Sequence, residues 1–178
     1  MVLLGLVGGL ARAEPPSARG ELSLGLVSSS YLSFIRATPG RYAASVAWQR
    51  GLGGAWEGVH VGGGLRLSMP GEARGLPLEL FARVSLEARL GPWRPGVGPE
   101  LGYSGWTRLS DELDPAGLFE QEQGRVGPLY LAIQVAPLHF QWERWSLSAF
   151  ELQVGASVPP LGGASRFQLG FLSIGRSL

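Results

Sequence analysis

The residues that could do chemistry in this chain are mostly arginine and glutamate. Fifteen basic residues, all arginine, stand against 14 acidic ones, so the net charge is +1. Such a balance indicates ion pairing within the protein and argues against a nucleic-acid partner, which needs a basic excess. The chain has no cysteine, and this excludes disulfides, thiolate metal sites and cysteine nucleophiles.

The only imidazoles are His60 and His139. Neither has a second metal-ligating residue at a typical spacing, and no glycine-rich phosphate loop is present. The sequence therefore predicts no metal site, no cofactor and no enzyme. A serine–histidine–acid site remains open, because serines are plentiful and chain order does not constrain such a triad.

The charged residues lie on segments whose hydropathy alternates with a period of two, which is typical of β-strands. In the fourth segment thirteen residues alternate from Leu78 to Leu90, a pattern that a helix would distribute around its circumference. Proline and glycine clusters separate the segments. Eight segments share this pattern, near residues 21–26, 41–49, 59–69, 78–90, 97–104, 129–136, 145–154 and 166–178. In the seventh segment a bulge near Ser148-Ala149 would restore one apolar face, and the eighth changes phase after Phe171.

The polar faces of these segments carry charges of both signs. If the third and fourth segments pair so that their apolar positions lie opposite one another, Arg66 lies beside Glu79, and Gly64 lies beside Phe81. We predict a mutually paired charge network in the interior of a barrel, where buried charges are tolerated only when paired. Its members are Arg66, Glu79, Arg83, Glu87, Arg89 and Glu100.

Two kinds of eight-stranded barrel fit the alternation. A soluble lipocalin-like barrel buries its apolar face and carries an apolar ligand, whereas a membrane barrel turns that face to lipid. Glycine, alanine and serine dominate the polar face, and small residues suit a narrow interior. Five tryptophans flank alternate turns, as an interfacial aromatic girdle would; they are Trp48, Trp56, Trp93, Trp142 and Trp145. We therefore predict an all-β, eight-stranded antiparallel up-and-down transmembrane β-barrel, with the soluble periplasmic barrel as the alternative.

The first residues resemble a secretory signal. An apolar run from Val2 to Leu10 precedes Ala11-Arg12-Ala13, which matches a cleavage site, although no positive charge precedes Val2. We assign 1–13 to a signal peptide and 14–178 to one barrel domain. An apolar first strand is the alternative.

With its alternating strands and tryptophan-flanked turns, the chain resembles the small eight-stranded outer-membrane barrels of Gram-negative bacteria, the outer-membrane protein A and X type. The resemblance implies location in the outer membrane, contact with outer-membrane lipid and lipopolysaccharide, and insertion by the outer-membrane assembly machinery. It also implies that both termini face the periplasm. The chain ends in Arg176-Ser177-Leu178, whereas such barrels commonly end in an aromatic residue.

In this orientation the odd-numbered connections face outward, and the longest of them runs from Gly105 to Arg125. It is acidic and also carries apolar residues, so we expect it to be the main surface for interaction with a protein partner, a divalent ion or lipopolysaccharide. Its candidate residues are Asp111, Glu112, Asp114, Phe119, Glu120 and Glu122. Eight strands leave a lumen that side chains fill, and this argues against a wide pore.

Overall fold

Ten β-strands make up the regular structure of the described chain. The computed structural model describes residues 20–32, 41–69, 78–105, 128–158 and 165–178. The predicted signal peptide and outer connections lie outside these ranges. The strands are β1 (Gly20–Leu32), β2 (Arg41–Gly53), β3 (Trp56–Ser68), β4 (Leu78–Glu87), β5 (Gly96–Ser104), β6 (Leu129–Ala136), β7 (His139–Trp142), β8 (Trp145–Ser148), β9 (Glu151–Val158) and β10 (Ser165–Ser177).

The strands form one closed antiparallel sheet. Each strand from β1 to β5 pairs with the next strand along the chain, β5 pairs with β6, and β1 pairs with β10 to close the sheet. β6 and β7 together occupy one strand position of the barrel wall, and β8 and β9 together occupy the next. The register of β6 against β9 continues in β7 against β8, and β8 and β9 share one register against β10. The predicted eight-stranded up-and-down barrel is therefore confirmed.

The barrel has two distinct ends. Turns at 54–55, 88–95 and 143–144 lie at one end, together with Gly20 and Leu178; we call this the turn end. The opposite end, where the connections lie outside the described residues, is the loop end. The register of β3 against β4 is also confirmed, since Arg66 pairs with Glu79 and Gly64 with Phe81.

At one level of the barrel, three adjacent strand positions change from even-numbered to odd-numbered inward-facing residues, or the reverse. In β10 the even residues up to Gly170 face inward, whereas Ser173 and Gly175 do so beyond it. Phe171 is the extra residue against β1, where the register shifts between Leu26 and Val27. The neighbouring position changes parity between Ser148 and Glu151, and the next between β6 and β7. The sequence therefore located both irregularities of the seventh and eighth segments.

Polar side chains fill the interior and apolar ones cover the exterior. Glu79 and Glu100 are fully buried, while Leu24 and Ile133 are 60% exposed. This is the reverse of the soluble alternative, in which the apolar face would line the interior. Among the described residues, no helix is long and apolar enough to cross a membrane.

Candidate functional site: the polar lumen

A five-residue cluster of charged and phenolic groups crosses the lumen near the loop end. We call Arg66, Glu79, Glu100, Tyr130 and Arg166 the loop-end cluster. The Arg66 guanidinium donates to Glu79 Oε1 at 2.5 Å and to both oxygens of Glu100 at 2.8 and 3.0 Å. Arg166 Nη2 donates to the same Glu79 oxygen at 2.7 Å, from the far side of the barrel.

Tyr130 lies at the centre of this cluster. Its hydroxyl is 2.8 Å from Glu100 Oε1 and 3.1 Å from Glu79 Oε1, and it accepts from Arg66 Nη1 at 3.0 Å. The Arg166 guanidinium lies 3.8 Å from the centre of its ring. Gly102 is directly opposite on β5, and a methyl group there would overlap the phenol ring. A residue without a side chain is therefore required for the ring to cross the lumen.

The loop-end cluster combines two arginines with two glutamates, so its formal charges cancel. Its side chains are between 0% and 4% exposed. Bidentate contact between guanidinium and carboxylate offsets part of the cost of removing both groups from water. Gln168 extends the cluster, since its Oε1 accepts from Arg166 at 2.8 Å and from Ser29 Oγ at 2.9 Å.

Arg83 lies at mid-depth, below the loop-end cluster. Its Nη1 donates to Gln134 Oε1 at 2.9 Å, and Gln134 Nε2 donates to Glu151 Oε2 at 2.8 Å. Arg83 and Glu151 themselves are 3.9 Å apart. This hydrogen-bonded chain links β4 through β6 to β9.

Glu87 belongs to a third group, at the turn end. Its Oε1 lies 3.5 Å from His60 Nδ1, and both side chains are largely buried. On the opposite wall Ser146 Oγ donates to Glu21 Oε1 at 2.5 Å. Of these groups, Glu21, Glu87 and Ser146 line an open cavity together with Arg94 and other residues.

The expected place of Arg89 in the lumen network is wrong. Its guanidinium pairs with Glu57, and both side chains are exposed, at 31% and 62%. Arg89 follows the end of β4, so the alternation that buries Glu87 does not carry it into the lumen. The other five predicted members face the interior, and among them the hydrogen bonds join Arg66 to Glu79 and to Glu100.

The five girdle tryptophans all lie exposed near the turn end. Their exposed fractions range from 40% for Trp93 to 66% for Trp56. Trp142 and Trp145 pair across the hairpin, and Trp93 Nε1 donates to the carbonyl of Pro137 at 2.7 Å. Their contact with a headgroup region stays a prediction.

The sequence reasoning missed Arg166, Tyr130, Gln134 and Glu151 as lumen partners. Arg166 and Tyr130 do occupy polar-face positions, so parity was the signal that could have found them. Pairing across the lumen, however, depends on barrel closure, which a strand-by-strand pattern does not contain. The loop candidates Asp111, Glu112, Asp114, Phe119, Glu120 and Glu122 lie outside the described residues.

No group of three or more potential metal ligands occurs within the described ranges. No family model matches the chain, and no curated protein matches its sequence. Two crystal structures of Ail, the attachment invasion locus protein of Yersinia pestis, are similar to it in fold. Both are 11% identical and cover 91% of this chain and 99% of that one. The TM-scores are 0.48 for Ail alone and 0.45 for Ail with the heparin analogue sucrose octasulfate.

Proposed function

We propose that this chain is an integral outer-membrane β-barrel protein with a structural or surface-interaction role. One observation carries the proposal: charged groups fill the interior while leucine, isoleucine, valine and aromatic side chains cover the outside. In water such a surface would expose a far larger apolar patch than monomeric proteins tolerate. In a bilayer the same surface is solvated, and a closed sheet pairs its backbone groups between neighbouring strands.

The loop-end cluster supports a lumen that does not act as a wide pore. Its members come from β3, β4, β5, β6 and β10 and hold one another across the interior. An eight-stranded barrel has only enough internal width for side chains. The proposed role therefore belongs to the outside of the barrel rather than to transport of large solutes.

Specificity then falls to the outer connections, because lipid-facing positions must be apolar and lumen positions small or paired. The connection from Gly105 to Arg125 is acidic and holds Leu118 and Phe119. We assign it the contact with a protein partner, a divalent ion or lipopolysaccharide. Insertion by the outer-membrane assembly machinery belongs to the same proposal.

Membrane integration is tested by the behaviour of the purified chain. A folded barrel should migrate differently on gels before and after boiling, and it should remain in the membrane fraction after a carbonate wash. These results follow because the closed sheet resists detergent unfolding until it is heated. A chain that stays soluble and monomeric without detergent would contradict the proposal.

The role of the long connection is tested by deleting residues 109–122. The matched control is a scrambled sequence of the same composition at the same place. We expect both variants to insert and to show heat-modifiable migration, and both to lose the cellular phenotype that the complete chain restores to a deletion strain. Full restoration of the phenotype by the variant that lacks residues 109–122 would show that this connection does not carry the function.

A further inference from the structure

A row of residues on the outer face of the turn end carries one arginine between tryptophans. Trp48 of β2 pairs with Leu22 of β1, and Leu22 pairs with Arg176 of β10. Arg176 pairs in turn with Trp145 of β8, and Trp145 with Trp142 of β7. Directly paired residues share a face of the sheet, and all five are exposed. We call these five residues the turn-end row.

Arg176 is the charged member of the row. Its guanidinium carbon lies 5.6 Å from the centre of the Trp145 ring, which is within the range of a cation–π contact. No acidic residue of the described chain forms an ion pair with it. An exposed positive charge on an otherwise apolar face is therefore left for a group outside the protein.

Positive charges outnumber negative ones around this row. The β7–β8 turn beside it holds one residue of each sign, Glu143 and Arg144. The turn is fixed against β10, because the amide of Ser177 donates to the carbonyl of Arg144 at 2.8 Å. Arg50 of β2 is exposed at the same end. The sector from β8 to β2 thus exposes three arginines, with Arg176 in its middle, against one glutamate.

An apolar strip continues from Arg176 toward the middle of the barrel. Ile174 lies two residues before Arg176 on the same face and pairs with Leu24, while Leu172 pairs with Leu26. The four apolar side chains are between 46% and 60% exposed. A long acyl chain fits along such a strip, and the stem of an arginine follows it while the guanidinium reaches the polar region.

The indole of Trp48 marks the polar side of the row. A methyl group at Gly20 would lie 2.7 Å from Trp48 Nε1, so the indole nitrogen reaches the level of Gly20, nearer to the turn end than Leu22. Tryptophan prefers the depth of lipid headgroups, where its N–H donates to polar groups. The row therefore places hydrogen-bond donors on the polar side of the apolar strip.

We propose that the turn-end row binds an anionic glycerophospholipid. Arg176 holds the phosphate, and the strip from Ile174 to Leu26 receives an acyl chain. A zwitterionic lipid is held less well, because its own cation is repelled by the arginines. We expect about a fivefold preference for the anionic lipid, equivalent to about 1 kcal/mol for one arginine. The inference rests on the proposed function, since it needs the outer face to lie in a bilayer.

The test measures quenching of a fluorophore by brominated lipids in phosphatidylcholine vesicles. The chain has no cysteine, so Ile174→Cys places one label in the strip. Val97→Cys on β5 is the matched control, because the two side chains are 48% and 45% exposed. At an equal fraction, brominated phosphatidylglycerol should quench the label at 174 more strongly than brominated phosphatidylcholine does. The two lipids should quench the label at 97 equally.

Arginine variants then separate charge from the apolar surface. In the chain labelled at 174, Arg176→Gln should abolish the preference, and Arg176→Lys should keep most of it because the charge remains. Arg89→Gln is the control, since Arg89 already pairs with Glu57, and it should leave the preference unchanged. Each variant is compared only after heat-modifiable migration shows that it folds. Sodium chloride should weaken the preference by screening.

Equal quenching of the label at 174 by both lipids would overturn the site, and so would an undiminished preference in Arg176→Gln. A larger loss with sodium phosphate than with sodium chloride at equal ionic strength would assign Arg176 to a free anion and would also overturn it. The two proposals fail separately. Quenching without preference rejects only the lipid site, whereas no quenching of either label by either lipid rejects the membrane role.

Discussion

Arg66 is the residue on which the balance of the lumen depends most directly. It contacts both Glu79 and Glu100, and only Glu79 has a second arginine, Arg166, as partner. Arg66→Ala therefore leaves Glu100 buried without its arginine partner, at a cost of about 3–5 kcal/mol. Urea unfolding in lipid vesicles measures the change. Arg89→Ala, which breaks an exposed pair, should cost at most about 1 kcal/mol.

A double variant separates charge from packing at the same residue. Arg66→Ala with Glu100→Gln should recover part of the loss, because the stranded carboxylate becomes neutral. Equal stability of the Arg66→Ala and Arg89→Ala variants would show that water reaches this part of the lumen and that the pairing is not needed for stability.

The alternation of polar and apolar residues was enough to place Arg66, Glu79 and Glu100 together, because their parity and their register follow from neighbouring strands. Arg89 shows the limit of that reasoning. Alternation predicts the facing of a side chain only while the strand continues, and β4 ends at Glu87. Parity alone puts Tyr130 on the polar face, but its contacts with Glu79 and Glu100 depend on how the strands lie across the lumen.

Among the strands, β10 carries the clearest structural device. Phe171 is the residue that shifts its register against β1. Deleting it should leave β10 one residue short against β8, so that inward-facing Ser173, which pairs with Ser148, would be offset by one residue towards Ala149. We expect loss of the heat-modifiable band. Phe171→Leu keeps the residue count and should fold, and a deletion variant that folds as well would contradict this interpretation.

The β7–β8 hairpin contains a local strain that can be relieved. Glu143 has φ of 47°, a left-handed conformation that costs a non-glycine residue about 1–2 kcal/mol. Glu143→Gly should therefore raise the free energy of unfolding in vesicles by about 1 kcal/mol. Arg144→Gly is the control in the same turn and should not stabilise the barrel. No gain in Glu143→Gly would mean that the carboxylate has a compensating role.

On the scale of the whole molecule, the sequence predicted fold class, strand order and facing, because each depends on a local period of two and on short turns. Contacts across the lumen could not be predicted in the same way. Arg166 reaches Glu79 over 87 residues of sequence only because β10 closes on β1. The turn-end cavity likewise depends on three wall positions changing parity at one level.

In the proposed outer-membrane barrel, one face of each strand meets lipid and the other meets a polar interior. Because the chain has no cysteine, single cysteines on β6 can carry a spin label without background. Leu131→Cys and Ile133→Cys test the outer face, while Gln134→Cys and Ala136→Cys test the cavity wall. In vesicles we predict strong relaxation of the first two labels by lipid-soluble oxygen, and greater relaxation of the other two by a water-soluble nickel complex. Labels at 131 and 133 that respond to nickel and not to oxygen would contradict the account.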